Sequence, residues 1–67
     1  MTLNEILKAS YSHRIKDKIH FIELNCGFNP NKPLPRGGVK IMKCYKCYKS
    51  VDGKTWIEIS KSEFREI

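Results

Sequence analysis

The sequence lacks long apolar runs and the motifs of common catalytic sites. No run approaches the roughly 20 apolar residues that a helix needs to cross a bilayer, so we expect no membrane span. There is no glycine-rich phosphate loop, no H-E-x-x-H and no serine–histidine–aspartate spacing. The first residues carry no basic stretch followed by an apolar one, which is how a secretory signal begins. We therefore expect a cytoplasmic protein that is not an enzyme.

The number of cysteines is also informative. The chain has three cysteines in 67 residues, and an odd number argues against a secreted disulfide framework. This again favours the reducing cytosol. Hydrophobic residues make up 40% of the chain, as in folded globular proteins, and residues 1–67 are expected to form one small domain. Because so short a chain buries little surface, a metal, a disulfide or a partner often helps to stabilise it.

Acidic residues are nearly missing from the centre of the chain. The net charge of the whole chain is +6. Between positions 32 and 54 only Asp52 opposes seven basic residues. These are Lys32, Arg36, Lys40, Lys43, Lys46, Lys49 and Lys54. Such a local surplus suggests an anionic partner, either nucleic acid or an acidic protein surface. The alternative is a solvated face that keeps a small domain soluble.

The N-terminal segment predicts a short amphipathic helix. Thr2 followed three residues later by Glu5 has the form of a capping box, in which each residue satisfies a backbone N–H group at the helix start. Apolar residues then recur at helical spacing up to Tyr11. We expect this helix to cover residues 2–12, with basic residues near its carboxyl end, where the helix dipole favours them.

The rest of the chain predicts a small antiparallel sheet and a second short helix, so the fold class is α+β. Residues 19–26 alternate as a strand, with Ile22 and Leu24 on one face and Phe21 on the other. Three prolines and three glycines make residues 27–38 a loop. Strands are expected at 39–43, 47–51 and 55–59, the last two joined by a two-residue turn at 52–53. A second capping box at residues 60–63 begins a helix over 61–66.

The cysteines predict a metal site. Two residues between Cys44 and Cys47 let both sulfurs reach one metal from a tight turn, as in zinc knuckles. Cys26 supplies a third thiolate across the loop, and His20 is the candidate fourth ligand because it shares a strand face with Cys26. Zinc is the expected cofactor. Two alternatives remain: buried structural thiols and a redox pair at Cys44 and Cys47.

A resemblance supports the zinc hypothesis. The I-x-K-C-x-x-C step that ends at Cys47, followed by a short strand and a closing Phe64, resembles the second half of small zinc-ribbon-like bacterial and phage proteins. Cys26 and Gly27 match a remnant of the first knuckle, in which Glu23 stands where the family has a cysteine. The resemblance covers residues 20–66. It implies a zinc-ribbon-like sheet and binding to nucleic acid or to a nucleic-acid enzyme.

Two function classes remain. The first is a nucleic-acid-binding module in which basic side chains contact phosphates and tyrosines stack on unpaired bases. Its candidate residues are Arg36, Lys40, Lys43, Lys46, Lys49, Tyr45 and Tyr48. Trp56 is expected to be more buried than Tyr45 and to belong to the core. The second class is a regulator or inhibitor, like many small phage proteins, that covers an acidic surface of a protein target.

Overall fold

The computed structural model describes residues 2–33 and 36–67. In chain order its elements are α1 (Leu3–Ala9), β1 (Ser12–Lys16), β2 (Ile19–Asn25), β3 (Tyr45–Ser50), β4 (Ile57–Ile59) and α2 (Lys61–Arg65). The strands form one antiparallel sheet in the order β1-β2-β3-β4. This confirms the predicted α+β class, with a small antiparallel sheet and a short helix at each end. The predicted loop at 27–38 includes residues 34 and 35, which lie outside the described residues.

Helix α1 begins as predicted and ends earlier. The Glu5 amide donates to Thr2 Oγ1 at 3.3 Å, and the Thr2 amide donates to the Glu5 carboxylate at 3.4 Å, which completes the capping box. The helix ends at Ala9 because Ser10 is extended and caps it, with its hydroxyl donating to the Leu7 carbonyl oxygen. The prediction that the helix continues to residue 12 is therefore wrong.

Strand β1 was not predicted. It pairs with β2 from Ser12 opposite Glu23 to Lys16 opposite Ile19. The connection is a two-residue turn, in which Asp17 and Lys18 have φ values of 52° and 65°. Positive φ at both positions is the geometry that matches the twist of a hairpin. The tight hairpin of this protein therefore lies between β1 and β2.

The predicted alternation of β2 is confirmed, and it divides the core in two. On one face Ile22 and Leu24 are fully buried with Ile6 of α1 and Trp56. On the other face Phe21 is buried with Cys47 and Phe64; Phe64 belongs to α2. Because neighbouring residues of a strand point to opposite faces, each helix covers its own side of the sheet.

The connection between β3 and β4 is longer than predicted. Lys49 is the last β3 residue paired with β4, and it lies opposite Ile57, so residues 51–56 form the loop. The prediction of a two-residue turn at Asp52 and Gly53 is wrong, although Gly53 does have a positive φ of 77°. The loop is organised by Asp52 instead, whose carboxylate accepts from the Lys54 and Thr55 amides at 2.8 and 2.9 Å.

Helix α2 confirms the predicted C-terminal helix. The Ser60 hydroxyl accepts from the Glu63 amide at 3.0 Å and caps the first turn. Ile59, just before the cap, packs in the same cluster as the buried Phe64, and the two residues form a hydrophobic staple across the start of the helix. The Glu63 carboxylate lies 3.8 Å from Lys49 Nζ on β3, so this side chain links the helix to the sheet.

Candidate functional site

A disulfide bond joins Cys26 to Cys44 just beyond the paired ends of β2 and β3. The two sulfurs are 2.06 Å apart, and the Cys26 amide donates to the Cys44 carbonyl oxygen at 2.9 Å. The bond therefore extends the last rung of the β2–β3 ladder, Asn25 opposite Tyr45, by one position. It closes the long connection between these strands.

The third cysteine is placed differently. Cys47 lies within β3 and is 1% exposed, packed with Phe21 and Phe64. Burial raises the pKa of its thiol, and the negative charge of Glu23, which faces it on β2, raises this pKa further. A buried thiol with a raised pKa stays protonated, and the thiolate is the form that binds metals and attacks disulfides. Cys47 is a core residue.

The zinc prediction is wrong. Cys26 and Cys44 are bonded to each other. Cys47 lies opposite Glu23 on one face of the sheet, whereas the His20 side chain lies on the other face. His20 instead stacks on His13, with their ring nitrogens 3.3 Å apart. Across residues 2–33 and 36–67, no group of three or more histidine, cysteine, aspartate or glutamate side chains is arranged to hold a metal ion. The alternative of a redox pair at Cys44 and Cys47 is also excluded, because Cys44 bonds to Cys26.

The His20 side chain affects the pKa of His13. Burial and the neighbouring His20 both lower the pKa of His13, with burial the larger cause. Their contact requires one ring nitrogen to donate and the other to accept. The contact with His13 accounts for the position of His20 without a metal.

The segment from residue 36 to residue 43, here called the basic loop, lies beside the disulfide. Residues 39–43 were predicted to be a strand, and in the structure they belong to none. The Asn25 side chain makes hydrogen bonds here that a neighbouring strand would otherwise make. Asn25 is 5% exposed, accepts from the Met42 amide at 3.0 Å and donates to the Met42 carbonyl oxygen. Both backbone polar groups of Met42 are thus satisfied without a neighbouring strand.

A close backbone approach holds the other part of the basic loop. A Cβ atom at Gly27 would collide with the Lys40 carbonyl oxygen and would lie 2.7 Å from Val39 Cγ1. Real side chains do not tolerate such contacts, so glycine is required where the loop passes over the end of β2. The Gly27 amide also donates to Asn25 Oδ1 at 3.0 Å. The loop is therefore fixed at three points: the disulfide, Asn25 and Gly27.

The predicted cations fall into two groups. Arg36, Lys40 and Lys43 are exposed on the basic loop, and in the part of the chain that the structure describes none lies within 4.0 Å of a carboxylate. Lys46 and Lys49 lie on opposite faces of β3. Their ammonium groups are 3.7 Å from Glu58 and 3.8 Å from Glu63, respectively. The cations of the loop are therefore not neutralised by ion pairs within the described residues, whereas those of β3 are.

The predicted aromatic residues also separate. Tyr48 packs against the cluster of Ile22, Leu24 and Trp56, and burial raises the pKa of its hydroxyl. Trp56 is 3% exposed, which confirms that it is more buried than Tyr45. Its backbone amide and carbonyl oxygen are both bound by the Asn31 side chain, at 2.8 and 3.0 Å. Tyr48 and Trp56 are thus parts of the core.

Tyr45 has a partner that the sequence did not indicate. Its ring centroid is 5.2 Å from that of Tyr11, with the ring planes tilted by 45°. Tyr11 is 74% exposed and follows the C-cap of α1, whereas its spacing had assigned it to the apolar face of a longer helix. The pair forms only because the chain turns into β1 at this point. No local pattern in the sequence carries that information.

Two apolar side chains of the basic loop also face solvent. Ile41 is 66% exposed and Met42 is 48% exposed. They are interspersed with Lys40 and Lys43, so the loop presents both charge and apolar surface.

Within the described residues, neither helix is long and apolar enough to cross a membrane.

No protein-family model, no curated protein and no solved structure matches this chain. The resemblance to zinc-ribbon-like proteins therefore stays a prediction, and the function has to be argued from the surface that the structure presents.

Proposed function

We propose that this protein is a non-catalytic module that binds nucleic acid through its basic loop. The observation that carries the proposal is the exposure of Arg36, Lys40 and Lys43, with no carboxylate of the described residues in range, on a loop that is fixed at three points. The run from residue 36 to residue 51 contains no acidic residue at all. Phosphate groups are the natural counterions for such a surface.

Fixing the loop matters for affinity. Binding costs free energy whenever a segment must be ordered in the complex, so a loop held in place beforehand loses less on binding. The disulfide and the Asn25 contacts supply this order in the free protein. Lys46 is the second residue of β3 and lies next to the loop in the chain, and its ion pair with Glu58 is exposed; Lys49 lies toward the other end of the strand. Exposed pairs of this kind contribute little, so Lys46 remains able to contact phosphates together with the loop.

The salt dependence of binding tests this proposal. Each lysine–phosphate contact releases counterions, so removing Lys40 and Lys43 together should lower the slope of log affinity against log salt by about 1.8 units on duplex DNA and about 1.4 on single strands. The matched control removes Lys16 and Lys54, the same loss of charge at the far end of the sheet. Both double alanine variants should be measured by fluorescence anisotropy at several salt concentrations. Equal slopes for the two variants would contradict binding through the loop.

The exposed Ile41 and Met42 favour a second candidate, a regulator that covers an acidic protein surface. Interfaces combine an apolar centre with a polar rim, and the loop carries both kinds of side chain. This candidate requires negligible nucleic-acid binding even at low salt. It also requires a protein partner that is lost in the Ile41→Ser, Met42→Ser double variant, and removing Lys40 and Lys43 should mainly slow association with that partner.

A further inference from the structure

We infer that Tyr11 and Tyr45 form a stacking site for an unpaired base, so that the nucleic acid bound by this protein is single-stranded. The inference rests on the proposed function and names its ligand more narrowly. It begins from an aromatic side chain that the fold leaves in solvent: Tyr11 is 74% exposed and yet lies against another aromatic ring.

The backbone of Tyr11 is held in place on both sides of the residue. The Tyr11 amide donates to the Glu23 carbonyl oxygen at 2.7 Å, which begins the pairing of β1 with β2. The preceding residue, Ser10, is fixed as the C-cap of α1. Tyr45 is the first residue of β3 and is half-buried. Its ring packs against the more exposed ring of Tyr11. Tyr11 therefore offers an aromatic face that is both open and ordered.

The position of this pair relative to the basic loop is what suggests a nucleotide. Cys44, whose disulfide anchors the loop, stands between Lys43 and Tyr45 in the chain. Two residues of extended chain span at most about 7 Å, so the ammonium group of Lys43 and the tyrosine rings can contact one strand at the same or neighbouring nucleotides. Phosphate and base would each meet a side chain of matching chemistry.

The geometry favours a single strand over a duplex. In a duplex the faces of the bases are covered by their neighbours, whereas an unpaired base can leave its stack and lie on an aromatic ring. Tyr48, the other tyrosine predicted to stack, packs against the core. The stacking role therefore falls to Tyr11 and Tyr45. Because every base has an aromatic face, this contact is expected to tolerate most sequences.

An abasic ligand separates stacking from phosphate binding. The probes are an oligothymidylate of about 12 nucleotides and a deoxyribose-phosphate chain of the same length without bases. The protein should bind the oligothymidylate at least about fivefold more tightly than the abasic chain. Tyr11→Ala and Tyr11→Leu should abolish this difference and leave the affinity for the abasic chain unchanged. Tyr11→Phe, which keeps the ring, should retain the difference.

The outcomes distinguish the inference from the proposed function. Because Tyr11 is largely exposed, its variants should keep the thermal midpoint of the parent protein, and this is measured alongside binding. If all variants bind the two probes as the parent does, or lose affinity for both equally, Tyr11 does not stack on a base and the inference fails alone. If the parent protein binds neither probe, nor duplex DNA, at low salt, the proposed function fails and the inference fails with it.

Discussion

Breaking the Cys26–Cys44 disulfide should cost this protein a large part of its stability. The two residues are 18 positions apart. A cross-link of that span removes about 11 cal/mol/K of entropy from the unfolded chain, which corresponds to about 3 kcal/mol at about 25 °C in the chain-entropy model. A domain of this size has roughly 3–10 kcal/mol of total stability. Loss of the bond is therefore expected to leave the domain marginally folded or unfolded.

Urea denaturation under oxidising and reducing conditions measures this effect. With a slope of about 1 kcal/mol/M, typical of the smallest domains, the midpoint should fall by about 3 M on reduction. The control is the double variant Cys26→Ala, Cys44→Ala, which should have the lower midpoint in both conditions and should not respond to reductant. Thiol alkylation in denaturant should find one reactive cysteine, Cys47, in the oxidised protein.

Two results would refute this reasoning. The first is three alkylated cysteines in protein purified under oxidising conditions, because the disulfide would then be absent. The second is a disulfide whose reduction leaves the urea midpoint unchanged. In that case Asn25 and Gly27 would hold the basic loop without help, and the entropy of the unfolded chain would not limit stability.

Two further predictions concern the loop between β3 and β4. Hydrogen bonds from the Thr55 and Lys54 amides lower the pKa of Asp52 from 3.8 to about 2. Its stabilising contribution is therefore complete above pH 3.8 and is lost as the pH falls through about 2, and Asp52→Asn should flatten the dependence of the urea midpoint on pH between these values. Gly53→Val should destabilise the protein by more than about 1 kcal/mol, because it forces a β-branched residue into a positive φ. Gly37→Val is the control, since Gly37 has open space around it and no positive φ; equal losses in the two variants would contradict the role of the turn.

The parts of the fold that follow from local chemistry could be predicted from the sequence. The Thr2–Glu5 capping box and the Ser60 cap need only residues three positions apart. The alternation of β2 was equally clear. Ile22 and Leu24 are apolar residues on one face of the strand, Phe21 is an apolar residue on the other, and all three are buried. A strand covered on both sides carries its signal in its own residues.

Strand β1 carries no such signal. Ile15 is the only apolar residue between Ser12 and Lys16, and it is 61% exposed. An edge strand of this kind is stabilised by its hydrogen bonds to β2 and not by burial. The helical spacing of the apolar residues up to Tyr11 therefore outweighed a pairing that depends on a later segment, in which Glu23 lies opposite Ser12.

The basic loop shows the opposite error. Val39, Ile41 and Met42 resemble a strand because they are apolar and β-prone, but Ile41 and Met42 face solvent. The Asn25 side chain occupies the backbone groups of Met42 that a neighbouring strand would otherwise use. Such a contact between residues 17 positions apart cannot be read from either segment alone. The exposed cations and apolar side chains that define the candidate site follow from it.

The cysteines show how a correct spacing led to the wrong chemistry. A zinc knuckle requires the chain to turn between Cys44 and Cys47, but β3 begins at Tyr45 and continues through Cys47 without a turn. Cys47 then points into the core, and Cys44 meets Cys26 across the sheet. The odd number of cysteines thus reflects one bond and one packed thiol. Disulfides persist mainly in oxidising compartments, so this bond removes one ground for the cytoplasmic prediction. The thiol state of the protein trapped by alkylation directly from cells would test that prediction, since a fully reduced chain is expected in the cytosol and a Cys26–Cys44 bond outside it.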